Sequence, residues 1–176
     1  ESLKIVLFAS IVSSLGGFTI EQIKPIFISI IPLVILLPAL NSMFGNYGII
    51  ISSKFATMLH EGKIKRTWWK SQQLKRLFAQ IIIIAIITSF LSLIMAFIIS
   101  SFSGYPLNAV VSSKILLIVI LDVILLITIL ILISTFGGIY FYKKEEDTNN
   151  ILIPLTTSVA DFCNMIILSI LVTLLF

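Results

Sequence analysis

The chain has 176 residues, of which 59% are hydrophobic and only 11% charged, and its formal net charge is +4. A soluble domain of this size cannot hide so much apolar surface, and several runs reach the ~20 apolar residues that a membrane-spanning helix needs. Composition therefore excludes a soluble globular protein, and the single Cys163 excludes an intrachain disulfide.

The apolar runs predict an all-α, polytopic membrane protein with five spanning helices and a single domain over residues 1–176. In chain order the helices are Leu3–Phe18, Pro25–Leu59, Leu77–Phe102, Lys114–Tyr142 and Ile151–Phe176. The first is short and is predicted to end at Gly16-Gly17. The second is too long for one crossing at ~1.5 Å per residue, so a bend or a close backbone approach is expected at Gly45 and Gly48. No soluble domain is visible, and because the first residue is Glu1 we expect a processed or excised product that has lost an upstream soluble region.

Basic residues concentrate between the second and third predicted helices and after the fourth. They are Lys63, Lys65, Arg66, Lys70, Lys75 and Arg76 in the first connection and Lys143 and Lys144 in the second. Because Lys and Arg collect on the cytoplasmic side of a membrane, the N-terminus is predicted inside the cell and Phe176 outside. The positive charge thus indicates topology and contact with anionic membrane lipid rather than nucleic acid. Trp68 and Trp69 suit the headgroup layer.

An acidic residue, Asp161, lies midway through the last apolar segment. A carboxylate at bilayer depth costs about 2.5–3.5 kcal/mol on the lenient insertion scale, so such residues usually face an interior path or a partner. Helical spacing places Pro154, Thr157, Ser158 and Asp161 on one face. One full charge, two hydroxyls and a carbonyl freed by proline suit a cation pathway, so this face is a candidate cation site.

The second predicted helix is the most polar membrane segment. It contains Pro38, Asn41, Ser42, Gly45, Asn46, Gly48, Ser52 and Ser53. Asn side chains and carbonyls exposed beside glycine are hard oxygen ligands of the kind that suits Mg²⁺ or Ca²⁺. Small and polar residues also serve helix packing in membranes, so for this segment alone packing and an ion pathway are equally supported. The presence of Asp161 elsewhere in the chain favours the ion pathway.

Two stretches of the sequence carry a family resemblance. The first runs from Pro38 through Met43 to Gly45-Asn46-x-Gly48 and continues to Lys54 and Gly62 before the basic loop. The second comprises Thr135, Lys143-Lys144, Asp147, Pro154, Thr156-Thr157 and Asp161. Together they resemble the membrane domain of the MgtE magnesium channels and transporters, and the resemblance covers essentially the whole chain.

The resemblance implies a homodimer whose second and fifth helices line one pore on the twofold axis. Asp161 of each protomer would form the central Mg²⁺ site, with Asn46, the carbonyl region near Gly45 and Thr157 facing the pore and Ser158 on the same helix face. The chain departs from the family at Phe44, where glycine is common, and at Ile49-Ile50, where Thr-Gln is common. These departures bear on the second-helix ligands and on selectivity for Mg²⁺. Family members commonly carry cytosolic regulatory domains, so a separate or missing one is implied.

Other titratable residues have two interpretations each. Asp122 is either an ion-entry or proton-coupling site or, as we favour, a structural acid that is bonded to a neighbouring helix or protonated. Lys54 is expected to extend to the membrane interface, with a guard of the pore exit as the alternative. His60-Glu61 fits a solvated loop better than a metal site. Asp147, with Glu145 and Glu146 beside it, is either a helix-terminal acid or part of the inner mouth.

The predicted function is therefore transport of Mg²⁺ or another divalent cation across a prokaryotic cell membrane. The sequence has no HExxH motif, nucleophile elbow or Gly-rich phosphate loop, so we expect no enzymatic activity. A non-transporting membrane scaffold, or a subunit of a larger complex, is the alternative, because an assembly protein can carry the same Gly, Asn and Asp residues. Channel and carrier, import and export, and preference among Mg²⁺, Mn²⁺ and Co²⁺ all stay open.

Overall fold

Six helices and no strand make up residues 2–64, 71–106 and 108–176, the part of the chain that the computed structural model describes. The helices are α1 (Ser2–Gln22), α2 (Lys24–Ser29), α3 (Ile31–His60), α4 (Gln72–Phe102), α5 (Ala109–Lys143) and α6 (Thr148–Leu175). All except α2 are long and apolar enough to cross a membrane, so the prediction of five spanning helices in an all-α protein is confirmed. Glu1, Lys65, Arg66, Trp68, Trp69 and Lys70 lie outside the described residues, so the headgroup assignment of the two tryptophans stays a prediction.

Polar side chains define where the later helices begin. Ser71 caps α4 by accepting a hydrogen bond from the Leu74 N–H, and Asn108 and Asp147 cap α5 and α6 in the same way. These helices therefore start three to five residues before the predicted starts, because each predicted start followed the apolar run and missed the capped polar turn. At the other end of α3, Gly62 takes a positive φ of 67° and closes the helix, with the Lys63 N–H bonded to the Met58 carbonyl.

The predicted end of the first helix at Gly16-Gly17 is wrong. Helix α1 continues through both glycines to Gln22. Gly16 lies against α6, where an added Cβ would come within 2.8 Å of Met165 Sδ and 3.2 Å of Phe162 Cα, whereas Gly17 has open space. Gly16 therefore allows two helices to pack closely, which is a common use of glycine in membranes and does not interrupt a helix.

The second predicted helix is two helices, because the chain breaks at Ile30. This residue is non-helical (φ −115°, ψ 81°) and precedes Pro32 in the first turn of α3. A proline lacks the N–H for a helical hydrogen bond and its ring clashes with the carbonyl four residues earlier, so α2 cannot continue into α3. Helix α3 then runs unbroken through Gly45 and Gly48. The close backbone approach expected there occurs at Gly48, whose added Cβ would lie 3.3 Å from the Thr156 carbonyl oxygen, and not at Gly45, which has nothing within 4 Å.

Helix α6 contacts α1, α3 and α5. Ser13 of α1 bonds to Asp161 of α6, and the Thr19 carbonyl accepts a hydrogen bond from Ser169. Because the residue numbers of the contacts increase in the same direction on both helices, α1 and α6 are parallel. Lys114, near the start of α5, donates to the Leu175 carbonyl at the end of α6, so these two helices are antiparallel.

Helices α3 and α6 are antiparallel. Asn41 of α3 bonds to Asn164 of α6, whereas Gly48, which comes later in α3, faces Thr156, which comes earlier in α6. A buried hydroxyl cluster joins three helices at this interface: Ser52 of α3 shares hydrogen bonds with Ser134 of α5 (3.1 Å) and Thr156 of α6 (3.0 Å).

Apolar side chains fill the space between α3, α4, α5 and α6, and others cover the outside. The core includes Leu33, Leu36, Leu40, Phe44, Ile51, Leu126 and Leu130, all fully buried. Large apolar side chains are also exposed along α1, α4 and α5, for example Ile83, Ile87, Phe90 and Leu91. In water such a surface would be unstable, but a helix that faces lipid is expected to present it.

Candidate cation-binding site

Asp161 lies at the midpoint of the 28-residue helix α6. Its side chain is partly exposed, and its Oδ2 accepts a hydrogen bond of 3.0 Å from Ser13 Oγ of α1. Among the described residues no Lys, Arg or His lies within ion-pair distance of this carboxylate. A partly open carboxylate with a single neutral donor has unused acceptor capacity, so Asp161 is available to a cation.

A cleft of about 420 Å³ opens beside this carboxylate. Five residues of α1 and four of α6 line it: Val6, Ala9, Ser10, Ser13, Ser14, Pro154, Thr157, Ser158 and Asp161. Six waters at roughly 30 Å³ each fit in this volume together with a small ion. The structure thus brings the Pro154, Thr157, Ser158 and Asp161 face together at one cleft, and the role of these residues as cation ligands stays a prediction.

The hydroxyl groups of the cleft are oriented by their own helices. Thr157 donates to the carbonyls of Ile153 and Pro154 at 3.0 Å, and Ser158 donates to the carbonyl of Leu155 at 3.0 Å. On α1, Ser10 and Ser14 likewise donate to the carbonyls four residues earlier. Because these hydroxyl protons are engaged with backbone, the oxygen lone pairs are left to accept from hydrating water or to contact a cation.

Helix α1 is the part of the site that sequence reasoning missed. Ser10, Ser13 and Ser14 share one face by the three- and four-residue spacing of a helix, and Gly16 allows α1 to approach α6. That spacing is the signal in the sequence, but polar stripes also occur in ordinary helix packing. Only the parallel contact between the first and last spanning helices shows that these serines meet Asp161.

Gly45 and Asn46, the predicted ligands from the second spanning helix, do not line this cleft. They lie at the middle of α3, where Asn46 is exposed and Gly45 partly exposed. The contacts of Gly48 with Thr156 and of Asn41 with Asn164 fix the register of α3 on α6. By this register Asn46 is level with residues 158–159 of α6, roughly 4 Å along the axis from Asp161. These residues therefore share the depth of Asp161 but face a different direction within the chain.

The polar residues of α3 divide between two faces. Asn41, Gly48 and Ser52 touch α6 and serve helix packing, with Asn164 donating its side-chain N–H to the side-chain oxygen Oδ1 of Asn41. Ser42 and Asn46 are exposed. Packing and a surface available to a partner or an ion are thus both present in this helix, on different residues.

Asp122 is in a different environment from Asp161. It is fully buried in α5, and within the described part of the chain neither carboxylate oxygen has a hydrogen-bond partner. The hydrogen bond to a neighbouring Ser or Thr that the structural interpretation allowed is not formed there, and Asp122 lines none of the clefts described here. An ionised carboxylate in this position would have no compensating donor, which is costly in an apolar interior.

At the end of the bundle that carries the basic residues, a separate cleft is lined by His60, Tyr142, Lys143 and the acidic cluster Glu145, Glu146 and Asp147. Asp147 caps α6: Oδ1 accepts from the Asn149 N–H at 3.1 Å and Oδ2 from the Asn150 amide at 2.9 Å. His60 packs edge-on against Tyr142. In residues 2–64, 71–106 and 108–176 no three His, Cys, Asp or Glu side chains converge in a way that would hold a metal ion.

In a comparison with protein families, the family model MgtE, divalent cation transporter, matches residues 37–171. The matched segment includes α3 from Leu37, all of α4 and α5, and α6 beyond Asp161. Helix α1 and its serines lie outside it. Comparison with curated proteins and with solved structures gave no match.

Proposed function

Because the chain belongs to the MgtE family of divalent cation transporters, we propose that it carries Mg²⁺ through a homodimeric pore in which two Asp161 carboxylates form the central site. Divalent cation transport is the property of the family, and its members are transporters rather than enzymes. The observation that carries the specific proposal is the open, hydroxyl-lined cleft at Asp161, midway along a membrane-spanning helix.

Electrostatics favours a cation at paired Asp161 residues. Two carboxylates that face each other in a medium of low dielectric repel, and a divalent ion between them removes the repulsion. Mg²⁺ sheds water reluctantly and is usually bound by one or two carboxylates while keeping several waters. A cleft with one carboxylate and several hydroxyl oxygens suits a largely hydrated Mg²⁺. A site with so few ligands also binds weakly enough to release the ion, which conduction requires.

The exposed residues of α3 support the proposal that a second copy of the chain packs on this helix. Asn46 and Ser42 are exposed at the depth of Asp161, where contact with lipid would leave their polar groups unpaired. Gly45 has open space around its Cα, so its small size is not required by packing within one chain. A partner protomer on this face would cover Asn46 and bring backbone carbonyls near Gly45 toward the axis. Under this proposal Gly45, Asn46, Thr157 and Ser158 surround the ion together with Asp161.

Topology and location complete the proposal. Five spans place the two ends of the described chain on opposite sides of the membrane. The α3–α4 connection and the end of α5 carry most of the basic residues, so we assign them and the N-terminus to the cytoplasm of a prokaryotic cell. Any cytosolic regulatory domain would then meet the bundle at this end.

Flux of Mg²⁺ into proteoliposomes tests the proposal, with the native protein compared with Asp161→Asn. The substitution keeps the shape of the side chain and removes one charge per protomer. We expect flux to fall more than tenfold, because a site that loses its charge no longer offsets the desolvation of a divalent ion, and tenfold corresponds to about 1.4 kcal/mol.

Crosslinking of the purified protein in membranes measures the dimer separately, with cysteines placed at Ser42 in a Cys163→Ala background. Native flux in a strictly monomeric preparation would contradict the homodimeric pore. Unchanged flux in Asp161→Asn would move the ion site elsewhere, with Asp122 next in line. Absence of flux from the native protein would favour the scaffold function.

A further inference from the structure

A further polar cleft, of about 510 Å³, lies between the end of α3 and the start of α4. Its polar lining includes Ser53, Lys54, Thr57, Gln73, Arg76 and Gln80. It is separate from the Asp161 cleft, which α1 and α6 form. The cation pathway proposed above makes no use of it, and a positively charged cleft is unsuited to a cation site.

The cleft carries unbalanced positive charge. Lys63 and Glu61 also line it, but they neutralise each other through an ion pair of 2.6 Å. Lys54 and Arg76 have no carboxylate within 4.0 Å among the described residues. In sequence, residues 65–70 add three further cations and no acid to this connection. An anion is therefore the complementary ligand.

The same helix faces become apolar one or two turns deeper. On α4 the positions that follow Gln80 on this face are Ile83, Ile84 and Ile87, which are 57%, 49% and 54% exposed. On α3, Ile50 lies one turn from Lys54 and is 43% exposed. Further in, the groove between the two helices is bridged by a hydrogen bond of 2.7 Å between the Tyr47 and Thr88 hydroxyls. A ligand that fills this groove has an anionic end and an apolar body.

The depth of the cleft matches the membrane surface. The first turns of α4, residues 72–80, contain five polar or charged side chains, whereas Ile81 to Ile87 are all apolar. Arg76 and Lys54 thus lie where the headgroups of a bilayer meet its hydrocarbon region, and the isoleucines lie within the hydrocarbon.

From these observations we infer that the α3–α4 cleft is a binding site for an anionic phospholipid, with its phosphate held by Lys54 and Arg76 and its acyl chains along Ile50, Ile84 and Ile87. A guanidinium forms paired hydrogen bonds with phosphate, and the Lys54 ammonium adds a second charge. The polar side chains Thr57, Gln73 and Gln80 are available to the glycerol and headgroup oxygens. This inference does not depend on the ion pathway or on the dimer.

Native mass spectrometry of the full chain, titrated with phosphatidylglycerol in detergent, tests the inference. The test variant is Lys54→Gln/Arg76→Gln. Lys4→Gln/Lys75→Gln is the control, because it removes the same charge from exposed residues outside the cleft, and α1 and α4 begin at the same end of the bundle. We expect the test variant to bind phosphatidylglycerol tenfold to roughly thirtyfold more weakly, since each basic residue near an anionic lipid contributes about a factor of five. The control should retain native affinity.

Two further titrations separate the possible ligands. Phosphatidylcholine, which has the same phosphate but no net charge, should bind more weakly than phosphatidylglycerol and should lose less affinity than phosphatidylglycerol does in the test variant. Inorganic phosphate should not displace phosphatidylglycerol. Equal loss of affinity in test and control variants, no loss in either, or displacement by inorganic phosphate would each overturn the inference. Thermal unfolding in phosphatidylcholine vesicles checks that both variants fold, and a second test variant, Arg76→Gln alone, replaces the first if it does not.

Discussion

The environments of Asp161 and Asp122 differ, although both acids lie inside spanning helices. Asp161 opens onto a cleft with hydroxyl groups on two helices and accepts a hydrogen bond from Ser13. Asp122 is fully buried, and its two oxygens have no partner within the described residues. From hydropathy alone, both are unusual because each is an acidic residue within an apolar spanning segment. Access and neighbouring oxygen atoms distinguish a residue that can meet an ion from one that can only be buried.

The largest expected difference in Mg²⁺ flux is that between Asp122→Asn and Asp161→Asn. We expect Mg²⁺ flux of Asp122→Asn to stay within about twofold of the native protein, whereas Asp161→Asn loses more than tenfold. The reason is that Asp122 is fully buried and lines none of the clefts found among the described residues. Proteoliposome flux measured at several external pH values checks this. A large loss in Asp122→Asn, or a changed pH response, would revive the ion-entry or proton-coupling interpretation.

The packing of α1 against α6 should be disturbed by a substitution at Gly16 and unaffected by the same substitution at Gly17. Gly16→Ala places a methyl group 2.8 Å from Met165 Sδ and 3.2 Å from Phe162 Cα, whereas Gly17→Ala meets nothing within 4 Å. We expect Gly16→Ala to lower the free energy of unfolding by about 1–3 kcal/mol and to reduce flux, because α1 carries Ser13 away from Asp161.

Gly17→Ala is the matched control and should be neutral or slightly stabilising, since alanine is the better helix former. Thermal unfolding in detergent and flux of the two variants provide the measurement. Equal behaviour would show that the close contact at Gly16 is unimportant and that α1 is not part of the site.

Ser13→Ala should have the smallest effect. Loss of one hydrogen bond to a charged group typically costs about 1.5–3 kcal/mol when nothing replaces it, but the Asp161 cleft is open and water can take the place of the hydroxyl. We therefore expect flux to fall only about twofold to tenfold. Thr19→Ala, on the same helix but outside the cleft and with its hydroxyl bonded to backbone, serves as the control. A loss as large as that of Asp161→Asn would mean that Ser13 itself contacts the ion.

Much of the fold could be predicted from local patterns. Long apolar runs indicate spanning helices, and the spacing of Pro154, Thr157, Ser158 and Asp161 indicates a shared face, because both properties depend on a single helix. The ends of helices were less predictable. Gly16 predicted the end of a helix and Gly45 predicted a bend. A glycine can end a helix, bend it or allow close packing, and the sequence alone does not distinguish these three roles. The break at Ile30, in contrast, has a local cause, because Pro32 lies in the first turn of α3.

The partner of Asp161 was not predictable in this way. Ser13 and Asp161 are 148 residues apart, and nothing local to either one specifies that the first and last spans pack in parallel. The same limit applies to Gly45 and Asn46: their depth follows from the register of α3 on α6, which depends on contacts such as Gly48 with Thr156. Whether they reach the ion depends on a second protomer, and so lies beyond any single-chain pattern.

The buried hydroxyl cluster of Ser52, Ser134 and Thr156 has a consequence for alignment along the membrane normal. Between apolar helices in lipid, sliding by one residue changes the packing energy little, because one isoleucine is exchanged for another. Sliding any of α3, α5 or α6 here would separate hydroxyls that lie 3.0–3.1 Å apart, and the buried Ser52 and Ser134 hydroxyls would lose these hydrogen bonds. The cluster therefore resists sliding of the three helices, and together with the contacts of Gly48 and Asn41 on α6 it keeps Asn46 at the depth of Asp161.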